Sequence, residues 1–249
     1  MAQYRTDTQN LDSAMKNRYE VNINANVPVL HTVPGIRTVH RSGYNSSLQN
    51  GTQEVIWGGA AAEPYLPTVA SHLTVTSSSS SDTLVQVTIT GLDANYNEIS
   101  ETVTLNGLTG VVTTNEFLRA ISTIVTNGHA PVGDISIKIN SNVVSFIPVG
   151  LGRGLNGSYT IPAGYTGYLI KGDTAAGKGG DAEVRMYIRP FGGGWIVGHV
   201  AQVYESQYVY DFPIPMQVPE KTDIKVTAKS SSTGTAVSCN FDIILVENP

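Results

Sequence analysis

The sequence predicts an all-β protein, built as two β-sandwiches behind an extended N-terminal arm. Three observations predict it. Short runs alternate apolar and polar residues with period two, Gly- and Pro-rich corners separate those runs, and 249 residues leave room for two sandwiches of about 100 residues each.

Residues 1–42 read as the arm, since they lack a core-sized periodic apolar set and carry Pro28 and Pro34 as breakers. Within it, Asn10 to Arg18 could form a short helix capped by Asn10 or Asp12, and VNINANVPVLHTVPGIRTV reads as extended chain. A polar terminus of this kind is expected to be tied down against neighbouring subunits or folded back on its own domain.

Residues 43–149 read as the first sandwich. LVQVTIT sends Val85, Val87 and Ile89 inward, Gly91 to Asn97 turn, and ISETVTL returns with Ile99, Val103 and Leu105, which makes a hairpin with a loop longer than two residues. Asn106-Gly107 and Asn127-Gly128 supply further turns. The segment TTNEFLRAISTIVT fits either a strand or a helical turn. Ile135, Ile137 and Ile139 form a short closing strand, and the serine run from Ser77 to Ser81 is expected as an exposed hairpin loop.

Residues 150–157, GLGRGLNG, form a Gly-rich connector, and residues 158–249 the second sandwich. Its last strand is the clearest in the chain: Val237, Cys239, Phe241, Ile243 and Leu245 share one face, Ser238, Asn240 and Asp242 the other.

Composition narrows the function. Charged residues are 14% of the chain, against about a quarter in ordinary soluble domains. A weakly charged polar surface is cheap to bury against partners, although a plain Ser/Thr-rich β protein would show the same composition. The net charge of −5 and the absence of a basic stripe argue against nucleic acid as a partner. No apolar run is long enough to span a membrane, and the first residues lack the apolar stretch of a signal peptide, so synthesis in a cytoplasm is expected. The lone Cys239 sits on an inward face and is expected to be buried and inert.

No catalytic, cofactor-binding or metal-ligating set emerges. Gly152 to Gly157 matches G-x-G-x-x-G and Gly172 to Lys178 approaches a phosphate loop, but strands follow both where helices are required, so both are expected to be glycine-rich loops. The five histidines show no metal-ligand spacing, and no G-x-S-x-G elbow exists. The chain is therefore read as a non-enzyme without cofactors.

The candidate interaction surface is aromatic. In YESQYVYDF the even spacing of Tyr204, Tyr208, Tyr210 and Phe212 would place them on one face of an extended strand, with Trp195 upstream; that face could be core, subunit interface or carbohydrate platform. Arg185 and Arg189 flank Tyr187 on the outward face of a neighbouring strand.

YTIPAGYTGYLIKG, EVRMYIRPFGGGW and FPIPMQVPEKTDIKV resemble the C-terminal β-sandwich module of virion structural proteins of tailed bacteriophages, marine and cyanobacterial ones included. VTITGLDANYNEISETVTLNG resembles a strand-turn-strand segment of phage structural proteins. Together the likeness covers roughly Thr83 to Asn248, and Pro162-Ala-Gly164, Arg189-Pro190-Phe191 and Lys221-Thr-Asp223 are its most specific combinations. It implies an immunoglobulin-like first domain and a jelly-roll-like second one. It also implies a virion location, as a capsid decoration or cement protein or as a tail, collar or fibre module. The implied partners are other virion proteins, further copies of the chain and, for a fibre module, a host surface glycan.

Overall fold

The computed structural model describes residues 34–177 and 180–249, and every regular element among them is a β-strand. The expected helix at Asn10 to Arg18 lies outside the described residues. The strands are β1 (Ile36–Leu48), β2 (Glu54–Val55), β3 (Ser71–Ser77), β4 (Gln86–Leu92), β5 (Glu98–Thr104), β6 (Val111–Phe117), β7 (Arg119–Val125) and β8 (Ile135–Ile139). They continue with β9 (Asn142–Ile147), β10 (Ser158–Thr160), β11 (Tyr165–Ala176), β12 (Asp181–Arg189), β13 (Ile196–Tyr204), β14 (Gln207–Val218), β15 (Asp223–Lys229) and β16 (Thr235–Glu247).

Two hydrophobic cores divide the chain. In the first sandwich a sheet of order β6-β3-β8-β9 faces a sheet of order β5-β4-β7, and Leu73, Val75, Val87, Ile89, Phe117, Ile135 and Ile137 fill the space between them. The segment read as strand or helical turn is two strands, β6 and β7, joined at Leu118. The Ser77 to Ser81 run is not a hairpin loop, because β3 and β4 lie in different sheets. It is also pinned rather than loose. Buried Asp82 accepts from the Ser77 hydroxyl at 2.6 Å and from the backbone N–H groups of Val132 and Gly133, and these bonds outweigh burial to hold its carboxyl below the usual value.

In the second sandwich a sheet of order β1-β16-β11-β14 packs on one of order β10-β15-β12-β13, with β2 added to β15. Every inward residue expected of the last strand is buried: Val237, Cys239, Phe241, Ile243 and Leu245 all lie in this core. Val184, Met186 and Val226 meet them from the facing sheet.

Residues 1–33 of the expected arm and extended chain lie outside the described residues, residues 36–42 are strand, and the first sandwich begins later than residue 43. Residues 36–48 are β1, antiparallel to β16 from Ile36↔Val246 to Leu48↔Thr235, so both β1 and β2 belong to the second sandwich. The inward side of β1 is polar, which is why alternation misses it. Arg41 is buried and donates to the carbonyl oxygens of Ser158 and Asn156. Burial lowers its pKa to about 10. Gly43 permits the close crossing of the chain beneath it, since any Cβ there would strike the backbone of Ile56 and Gly157. A second correction concerns Gly172 to Ala176, expected as a loop: these residues continue β11, paired on both sides by β14 and β16.

Candidate interaction surface and inter-sandwich junction

The structure distributes the aromatic and arginine residues over three places. Tyr204 closes β13, whereas Tyr208, Tyr210 and Phe212 lie on β14, in the opposite sheet. Glu205, at a positive φ of 44°, turns the chain between them. The four therefore do not share one strand face.

On β14, Tyr208, Tyr210 and Phe212 turn toward the gap between the sheets. Tyr208 and Phe212 pack on the second core, and all three line a groove with a cavity of about 60 Å³. His199 of β13 reaches across the gap. Its ring lies 4.7 Å from Tyr210 and stacks on Tyr208 at 5.8 Å, with Nε2 3.2 Å from the Tyr208 hydroxyl. Phe212 meets Tyr210 edge to face at 4.7 Å. These rings cap the open side of the sandwich, where β13 and β14 are each the last strand of their sheet. Other side chains of the two strands are left in water: Tyr204 is 66% exposed, Ile196 62% and Ile214 84%.

Trp195 and Arg189 belong to the junction between the sandwiches. Asp223, at the start of β15, is its centre. Arg119 of β7, in the first sandwich, donates Nε and Nη2 to the two Asp223 oxygens at 3.0 and 3.2 Å, and Arg189 donates to Oδ2 at 2.6 Å. The Thr160 hydroxyl adds a bond of 2.6 Å to Oδ1. Arg119 also reaches the carbonyl oxygens of Pro67 and Leu118 at 2.8 and 2.9 Å, so four of its five guanidinium donors are engaged. Burial opposes ionisation of Asp223, but the Arg119 bonds and charge, with Thr160 and Arg189, hold its carboxyl below the usual range.

Around this node Arg189 and Lys225 both lie over the Trp195 ring, at 4.6 and 4.4 Å from its centroid. Tyr96, from the β4–β5 loop, meets Phe191 edge to face at 5.7 Å, and its carbonyl accepts from the Ala163 N–H at 2.9 Å. An Arg37–Glu98 ion pair also joins the sandwiches.

Arg185 stands apart on the outer face of β12, bonded to the Glu183 carboxylate at 2.6 Å and to the Tyr187 hydroxyl at 3.3 Å. It is a solvated surface pair. Among the described residues no group of three His, Cys, Asp or Glu is placed to hold a metal ion, and no helix is long and apolar enough to cross a membrane.

No protein-family model matches the chain, and no curated protein matches it. Among solved structures it is similar to the VP2 subviral particle of infectious bursal disease virus, at 10% identity and a TM-score of 0.22, over 87% of this chain and 73% of that one. The Gx strain of the same virus gives 10% identity and 0.22, over 86% and 73%. These scores carry no functional argument.

Arg119, Asp223, Thr160 and His199 were not among the sequence candidates. Asp223 stood in the Lys221-Thr-Asp223 string of the phage resemblance, and nothing in the sequence ties it to Arg119.

Proposed function

We propose that the chain is a non-enzymatic structural subunit of a tailed-phage virion, one that decorates or cements the capsid lattice. The observation that supports this reading is a rigid body with one apolar flank left open. Asp223 fastens the two sandwiches, while Ile196, Val200, Tyr204, Val209 and Ile214 stay exposed along β13 and β14. A protein that acts by packing against others needs both features: a fixed shape to present and apolar area to bury. The strings that carry the phage resemblance fall on β10, β11, β12, β14 and β15 of the second sandwich and on β4 and β5 of the first. Low charge density keeps the cost of burying the flank small.

The test is made on particles. Virions stripped of this subunit should break open at lower temperature than complete ones and regain their resistance when purified subunit is added back. Identical melting of stripped and complete particles would remove the cementing role. A tail, collar or fibre module that binds a host glycan is the second reading, favoured by the exposed rings of Tyr204 and Phe191, each 66% exposed. It ranks lower because Tyr208, Tyr210 and Phe212 line the groove between the sheets rather than presenting a flat ring platform. Binding on a glycan array that Tyr204→Ala abolishes would promote it.

A further inference from the structure

Sheet edges that end in water invite pairing, and most edges in this molecule are protected. β14 carries Pro213 and Pro215 together with Asp211. The N–H groups of Thr114 and Asn115 on β6 are capped by the Glu101 carboxylate at 2.7 and 2.8 Å. β7 is covered by Gly152 and Gly154, whose backbone bonds to Val125 and Thr123, and β9 by Tyr65, which donates to the Val143 carbonyl. β10 has three residues and β2 two. β5 displays Glu98 and Glu101, and β1 displays Arg37 and His40 and is crossed at Gly43.

β13 is the exception. Ile196–Tyr204 has nine residues, one bulge at Gly198, no proline, lysine or carboxylate, and exposed Ile196, Val197, Val200 and Tyr204; among the described residues its one strand neighbour is β12.

We propose that the N-terminal segment Val21–Val29 of one copy adds as an antiparallel strand to the free edge of β13 in another copy. The proposal deepens the assembly reading and rests on it for the presence of a second copy. Val21, Ile23, Ala25, Val27 and Val29 alternate with Asn22, Asn24, Asn26 and Pro28, a nine-residue period-two pattern that matches β13 in length. When the odd-numbered residues bond to β13, the missing N–H of Pro28 faces away from it and stops a further strand from joining.

Reach decides between the molecule's own edge and a neighbour's. The described chain begins on β1, at the opposite side of the second sandwich from β13. From Val29 to Pro34 five residues span at most about 18 Å. The path around the sandwich crosses three strand spacings of about 4.8 Å and one sheet separation of about 10 Å, about 24 Å in all. Pairing back onto β1 is also disfavoured: Pro34 followed by Gly35 at φ 74° is the residue order of a type II turn, which splays hairpin strands.

The experiment compares the full chain with its Ile23→Asp/Val27→Asp variant, reading mass by light scattering and amide exchange over Ile196–Tyr204. Far-UV circular dichroism checks that the fold is unchanged. The full chain should associate with slow exchange along β13, and the variant should be monomeric with fast exchange there. A variant that still associates with β13 protected would overturn the proposal and leave the assembly reading standing. A full chain that is monomeric with β13 exposed at every concentration would overturn the proposal and leave the cementing reading to its test on particles. A monomer whose β13 is protected would show pairing within one chain and overturn the exchange between copies.

Discussion

The junction at Asp223 and the flank of β13 and β14 sit at opposite ends of one physical scale. At the junction one buried carboxylate takes bonds from two arginines and a threonine, and Arg119 also donates to two backbone carbonyls, while the neighbouring Thr222 hydroxyl is buried without a partner. At the flank β13 keeps a free backbone edge, and Val200 and Ile214 face water. The difference teaches where the molecule is finished and where it is not. The junction buries its charges in pairs; the flank leaves apolar side chains in water.

The largest effect should come from the junction. Asp223→Ala strands the buried Arg119 charge, and removing one partner of a buried pair costs about 3–5 kcal/mol. That corresponds to a fall in melting temperature of roughly 10 °C for a chain of this size. A fall of less than a degree would mean that the junction does not hold the body together, and the contrast would collapse.

Acid should act at the same place. Because the folded Asp223 carboxyl titrates below its ordinary value of 3.8, its contribution is complete above that pH and is lost as pH falls through the lower folded value. The melting-temperature gap between the parent and Asp223→Asn should therefore stay constant from about pH 5 to 7 and narrow below about pH 4. A gap that widens in acid would contradict the assignment.

A smaller change probes the groove. Ala201 lines the cavity beside Met186, Val226 and Phe241, so Ala201→Val fills empty space and should raise stability by about 0.5–1 kcal/mol, read by urea denaturation. The groove should also stay closed to reagents. Burial pushes the Cys239 thiol up to about 12, and labelling should proceed only as fast as the protein unfolds. Faster labelling would show that the aromatic cap opens by itself.

Smallest of all, Ile214→Ser and Tyr204→Ser should each change the stability of the isolated chain by no more than about 0.5 kcal/mol, because neither side chain is buried. Their effect should appear in association alone.

Strands of both sandwiches are legible in the sequence where one face is apolar. β16 and β8 alternate so regularly that the inward residues could be named one by one, and all are buried. β1 was not legible, because its inward positions include Arg41 and Asn45 and its partner strand lies some two hundred residues away. The aromatic spacing misled for a local reason, since a single residue at positive φ, Glu205, moves Tyr204 to another sheet from Tyr208. Arg119 and Asp223 stand 104 positions apart, and no periodic pattern links two charges brought together only when two sandwiches dock.

Amide exchange of Val197 to Tyr204 in the concentrated full-length protein, compared with the same amides after dilution, tests the central claim most directly. The account predicts slow exchange in the concentrated protein that is lost on dilution to monomer. Fast exchange at both concentrations would show that the flank stays bare and would contradict it.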